Sequence, residues 1–190
     1  MKRAVVAALL LAAAPALADD TYVSKKDRER AAKSTSHGAP PVPGKKPAKL
    51  VNLYNQHTHD WLAVDPLAPP SLGEIDLFLR DHFTNETTKM DPKLIPAVVE
   101  AAKQFKSDFV SVVSGFRHPK YNLMLRKKGH QVARDSQHTH GNAIDFQIPT
   151  CSTKKLHAWA KAQKLGGVGL YLNSAFVHID TGPIRYWSGD

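Results

Sequence analysis

The sequence predicts an α+β domain in which a small antiparallel sheet carries a polar face and helices pack on the other. Three observations lead there. In 143–148, Ala143, Asp145 and Gln147 alternate with Ile144, Phe146 and Ile148; in 175–180, His178 and Asp180 alternate with Val177 and Ile179. Successive side chains of a strand point to opposite faces, so each run buries an apolar set and offers a polar one. Two further runs, 109–114 and 168–172, have strand character of their own. Finally, Leu94, Ile95, Val98, Val99, Ala102 and Phe105 recur at helical spacing and make a stripe able to cover an apolar sheet face.

The first eighteen residues read as a signal for export. Met1-Lys2-Arg3 is a basic start, an apolar run extends to Leu17, and Ala16-Leu17-Ala18 supplies a cleavage site. That run is too short to span a bilayer comfortably, and no later stretch does better, so no transmembrane segment is expected. The expected location is outside the cytoplasm, in the periplasm. Residues 19–48 are rich in Lys, Ser and Pro and poor in apolar side chains. Such a segment cannot offset the entropy of ordering, and it reads as an extended basic linker. The folded domain is expected over 49–190.

The formal charge is +9, falling to +7 (9 − 2) once Lys2 and Arg3 leave with the signal. Positive excess attracts polyanions. For an exported protein these are envelope polymers rather than nucleic acid, and much of the excess lies in the linker. No Gly-rich phosphate loop or dinucleotide fingerprint is present. Cys151 is the single cysteine, so no intramolecular disulfide can form. A buried, inert thiol is favoured over a metal ligand or nucleophile.

Within the domain, 50–54 and 61–64 form strands around the turn Gln56-His57-Thr58-His59-Asp60. A metal site at His57 and His59 is the tempting reading. However, Val64 stands where a later, similar motif has its Asp, so a hairpin turn with solvated imidazoles is expected. Ser71 caps a helix predicted to run through Phe83. Asp91 at N-cap and Pro92 at N1 open the amphipathic helix that follows. The strand 109–114 ends at Gly115, with Arg117 just beyond it. A helix from Pro119 to about Lys128 is stopped by Gly129. Thr150 or Ser152 caps a helix carrying Leu156, Trp159 and Ala160. The strand 168–172 then turns at Asn173-Ser174 into 175–180.

Chemistry concentrates in the polar faces. If 143–148 pairs with 175–180, Asp145 and His178 lie side by side, and His138 reaches them from the loop before Gly141. Two imidazoles and one carboxylate, with a fourth position for water, form the ligand set of a catalytic zinc site. A Ser-His-Asp reading fails, because Ser136 precedes His138 without a Gly-x-Ser-x-Gly elbow. Arg117, at a strand end, can hold a carboxylate through two parallel hydrogen bonds or make an ordinary surface ion pair.

Four ordered blocks carry a resemblance. Ser114-Gly115-Phe116-Arg117, Tyr121-Asn122, Val132-Ala133-Arg134, and the run from Ser136 to Asp145 with His178-Ile179-Asp180-Thr181-Gly182 are similar to the zinc D-Ala-D-Ala carboxypeptidase and dipeptidase superfamily. The bacterial murein endopeptidases of that superfamily are the nearest match, over roughly 48–188. The resemblance implies a hedgehog/D-Ala-D-Ala metallopeptidase-like fold and one Zn2+ held by His138, Asp145 and His178. It also implies peptidoglycan as the partner, hydrolysis of its peptide cross-links or stems, and substrate binding by Arg117 and Ser136. The family's base positions are filled here by Ala175 and Phe176. Asp180 and then His140 are therefore the candidate bases, with Asp180 equally able to orient His178. A D,D-carboxypeptidase and a zinc-containing wall-binding module without turnover are the alternatives. The oligomeric state is left open.

Overall fold

The computed structural model describes residues 51–130 and 132–189. The expected signal and linker lie outside those residues. The domain is α+β, as its alternating runs imply. Its sheet, however, has seven strands in mixed orientation, where a small antiparallel one was expected. The strands are β1 (Val51–Asn55), β2 (Trp61–Val64), β3 (Phe109–Ser114), β4 (Ala143–Gln147), β5 (Gly167–Tyr171), β6 (Phe176–Asp180) and β7 (Arg185–Gly189). Their order across the sheet is β2-β1-β3-β4-β6-β5-β7.

Connectivity explains the two parallel pairings. The hairpin from β1 to β2 uses one edge of β1. The chain then crosses over through α1 (Leu72–Phe78) and α2 (Leu94–Gln104), so β3 joins the other edge of β1 in the same direction. A parallel pair needs such a crossover. At the far side, both edges of β6 are taken, by β4 and β5. β7 turns back on β6, passes it and pairs with the free edge of β5, which makes it parallel to β5. The sequence tail showed no apolar alternation, and this last strand was not expected.

Parity decides what each face does. Val110, Val112, Ile144, Phe146, Val177, Ile179 and Val168 join Leu94, Ile95, Val98 and Ala102 of α2 in one buried cluster. Leu156 and Ala160 of α4 (Thr153–Gln163) complete it. Burying such side chains contributes about 1.5–3 kcal/mol each. The opposite face presents Ser111, Asp145, His178 and Gly169. A helix on that side departs from the expected layering: α3 (Pro119–Lys127) packs Tyr121, Met124 and Leu125 with Phe83 into a second small cluster beside the polar face.

Local chemistry sets the element ends. Ser71 and Glu74 form a capping box at the start of α1. That helix stops at Phe78, short of the expected Phe83, because Asp81 takes the N–H groups of Phe83 and Thr84 at 2.8 and 2.6 Å. Local side-chain bonds of this type compete with helix continuation. The next helix starts later than expected: its N-cap is Lys93, not Asp91, and Asp91 accepts from the Lys93 N–H at 2.9 Å in the turn that leads into α2. Ser152, not Thr150, caps α4. Among the described residues, no helix is long and apolar enough to cross a membrane.

Candidate metal centre

The three predicted donors meet. Asp145 on β4 stands opposite His178 on β6 in the antiparallel register. His138 enters from a 3₁₀ turn over Gln137–His140. That turn closes at Gly141, whose φ of +74° is a left-handed conformation that a side chain would resist. The Asp91 N–H donates to the Gly141 carbonyl at 2.9 Å and pins the turn to the start of α2.

One ligand atom from each of His138, Asp145 and His178 lies within 4.8 Å of the others, and all three residues are buried. His138 Nε2 is 3.2 Å from Asp145 Oδ2 and 3.1 Å from His178 Nδ1; His178 Nδ1 is 2.8 Å from Asp145 Oδ1. The outer nitrogens fix the tautomers. His138 Nδ1 donates to the Gly115 carbonyl at 2.7 Å. His178 Nε2 donates to Asp180 Oδ2 at 2.9 Å. In a neutral ring each inner nitrogen is then a bare lone pair facing the other and the Asp145 carboxylate. Lone pairs aimed at one another need a positive charge between them, and the donor set fits a divalent cation for that reason.

Electrostatics within the protein point the same way. Burial pulls the His178 pKa down, but hydrogen bonds to Asp145 and Asp180 outweigh it, and the net shift is upward. Burial pushes Asp145 up, and the two imidazoles reverse that, leaving it well below the usual carboxylate range. Burial lowers His138, partly opposed by Asp145. The carboxylates around His178 thus favour positive charge at the centre of the cluster.

The remaining candidates separate by geometry. Asp180 is fully buried and lies on the Nε2 side of His178, away from the inner nitrogens. Its oxygens accept from the Gly167 and Gly182 N–H groups at 2.9 Å and from Arg185 at 2.7 and 3.2 Å. His140 is about half-exposed and bonded to Asp135, and it does not line the cleft beside the three donors. Arg117 and Ser136 do line it. The Arg117 guanidinium stands 3.4 Å from Ser114 Oγ and 3.7 Å from Asp145 Oδ2, while its backbone N–H donates to the His138 carbonyl at 3.1 Å. Cys151 is half-buried against the core, with its thiol pushed up by burial, and takes no part in the cluster.

The hairpin turn at His57 and His59 forms as expected, and among the described residues neither belongs to a metal-type cluster. The imidazoles are not simply solvated, however. His59 Nδ1 bonds the Tyr54 hydroxyl at 2.8 Å, and His57 stacks on His82 with ring centres 4.2 Å apart. The cleft also has an aromatic wall, assembled from three strands, the last of them in the tail, whose aromatics the sequence leaves equally able to pack over the sheet or to touch substrate. Tyr171 stacks on Phe176 at 4.4 Å, and Trp187 lies 5.1 Å from the His178 ring and donates to the Tyr171 hydroxyl. Gly169 makes room for this, since a Cβ there would meet the Trp187 ring at 2.6–2.7 Å. The cleft measures about 820 Å³, room for a short peptide segment.

Comparison with known proteins adds an independent line. The family model described as peptidoglycan L,D-endopeptidase MepK matches residues 45–187. The chain is similar to a probable peptidoglycan L,D-endopeptidase MepK of Haemophilus influenzae, 36% identical over 141 residues, covering 73% of this chain and 76% of that protein. It is also 32% identical over 145 residues to the peptidoglycan L,D-endopeptidase MepK of Escherichia coli K12, covering 73% of this chain and 80% of the relative. No solved structure matches.

Proposed function

Since the chain belongs to the peptidoglycan L,D-endopeptidase MepK family, we propose that it is an exported zinc metallopeptidase that cuts L,D peptide bonds in the cross-links or stems of peptidoglycan. The observation that carries the zinc reading is the buried cluster of His138, Asp145 and His178, with inner lone pairs converging and outer nitrogens committed elsewhere. A zinc ion held by these three would acidify a bound water and polarise the scissile carbonyl. The residues around it prepare that chemistry. The Gly115 carbonyl and Asp180 hold the two imidazoles in the ligating tautomer and raise their basicity. Buried on one side and open to the cleft on the other, the cluster meets substrate without losing its low-dielectric setting.

Arg117 is assigned to substrate. Its bonds to Ser114 and Asp145 are longer than the 2.7–2.9 Å typical of a charge-assisted pair, which leaves the fork with capacity for a carboxylate. Ser136, at the rim of the same cleft, is assigned to a substrate polar group. Asp180 is assigned to positioning His178 rather than to proton transfer, because all of its bonds lie on the far side of the ring. His140 is too far committed to Asp135, and too exposed, to favour it as the base. Outside the domain, the reading includes an export signal over 1–18 and a basic linker over 19–48, which suit a substrate that lies beyond the cytoplasm.

The bond preference is tested with purified muropeptide dimers, one joined through an L,D bond and one through a D,D bond. The expected outcome is cleavage of the first, abolished by chelation and restored by zinc, with the second left intact. Preferential cleavage of the D,D dimer, or trimming of a terminal D-Ala alone, overturns the endopeptidase assignment in favour of a D,D-peptidase.

A further inference from the structure

We propose that an exposed cationic strip along the end of α3 and the loop after it docks the peptidoglycan polymer outside the cleft, through the carboxylates of stems that are not being cut. The inference rests on the peptidase reading and adds a second contact surface for the same polymer. Between Asp108 and Asp135 the chain has no carboxylate, and it carries Arg117, Lys120, Arg126, Lys127, Lys128 and Arg134. Arg117 is half-buried in the cleft, and the other five are exposed.

Packing turns these side chains outward. α3 commits Tyr121, Met124 and Leu125 to the cluster with Phe83, which leaves Arg126 and Lys127 of its last turn in solvent. The loop then folds back along the helix. The His130 N–H donates to the Leu125 carbonyl at 3.1 Å, and Asn122 Nδ2 donates to the carbonyls of Ala133 and Arg134 at 3.0 and 3.4 Å. Asn122 and Arg126 are one turn apart on one helix face, so Arg134 returns to the side that carries Arg126. The helix dipole favours cations in a last turn, which accounts for Arg126 and Lys127 but not for Arg134 beyond it. Among the described residues, no carboxylate pairs with Arg126, Lys127 or Arg134, and Asp135 is bonded to His140. Leu125, Gly129, His130, Val132 and Ala133 line the cleft, so the strip borders its rim. A polymer with one stem seated at the metal-type cluster therefore runs past the strip. Its other stems end in free carboxylates, and a row of exposed cations attracts such repeated charges without requiring one fixed geometry.

The test is binding to purified sacculi, kept separate from turnover. The zinc-loaded full chain is pelleted with sacculi in the cold, at low and at high salt. Arg126→Glu/Lys127→Glu is compared with Lys154→Glu/Lys155→Glu, an equal charge change on exposed lysines of α4 that do not line the cleft. At an anionic surface one Lys or Arg changes affinity by about fivefold, so the strip variant should bind sacculi about 10-fold or more weaker at low salt. The control should stay within about 3-fold, and the difference should vanish at high salt, where exposed charges are screened. Sacculi whose carboxylates have been converted to amides should bind the unaltered protein and the strip variant alike. Arg126→Gln/Lys127→Gln, which only removes the charge and guards against a folding defect, should show an intermediate loss. Unchanged sacculus binding overturns the strip, as does an equal loss in the control or a loss that survives on amidated sacculi. Loss of binding to anionic phospholipid vesicles with sacculus binding intact also overturns it, and assigns the strip to a membrane. Strip-dependent binding by a protein that releases no muropeptide keeps the strip and loses the peptidase assignment; release with strip-independent binding does the reverse.

Discussion

Asp180 has both carboxylate oxygens occupied by His178, Arg185 and two backbone N–H groups, and its own acidity is held well below the usual carboxylate range. A carboxylate so placed acts on metal affinity rather than on proton transfer. Asp180→Asn should therefore weaken zinc by about 10–100-fold in a competitive chelator titration. A variant that keeps its zinc but loses about 10²–10⁴-fold in rate would return Asp180 to the role of base. His82 gives the second prediction at this scale. Its folded pKa is about 4 against an ordinary 6.5. Between those values a falling pH protonates the unfolded chain before the folded one, so stability drops as pH falls through that window. In denaturant titrations from pH 7 to 4, His82→Phe should lose less stability than the unaltered protein; parallel curves would contradict the buried neutral imidazole. The metal-type triad was legible in the sequence because strand parity and the His-to-Asp spacing both constrain it. His82 was not, since the rings packed against it, His57 and Tyr121, lie 25 and 39 residues away (82 − 57 and 121 − 82) and meet it only through the fold.

Elements read from alternation survive best: β3, β4 and β6 fall within a residue of expectation, because one buried face enforces their period. The expected long helix after Ser71 ends early, since periodicity cannot reveal that Asp81 will bind backbone N–H groups instead. β7 was missed for a different reason. Its residues are largely exposed and pack Trp187 over the polar face, so the strand carries no apolar period to detect. Gly169 is the hinge of that packing, and its demand is invisible without the neighbouring strand. Gly169→Ala brings a Cβ against the indole of Trp187. It should cost about 1–3 kcal/mol in chemical denaturation, the usual range for overpacking. It should also open the aromatic wall beside His178, weakening stem-peptide binding. Unchanged stability would mean that Trp187 moves aside freely and does not form a wall.

At the scale of the whole molecule, the metal-type cluster, the cleft and the core form one folding unit. β4 and β6 bury Ile144, Phe146, Val177 and Ile179 on one face and present Asp145 and His178 on the other, so the ligand set exists only once the core has formed. A cation that binds the folded chain alone raises its stability by mass action, by about 2.7 kcal/mol at a hundredfold excess over Kd. Removing zinc should accordingly lower the melting temperature, and His138→Ala should abolish the difference between loaded and stripped protein. The most direct measurement is release of soluble muropeptides from purified sacculi by the protein with zinc, after chelation, and after zinc is restored. Release that stops on chelation, returns with zinc and is absent in Asp145→Ala is the predicted result. Release that persists in the chelated protein, or none from protein carrying stoichiometric zinc, contradicts the assignment of the cluster as the centre of a peptidoglycan peptidase.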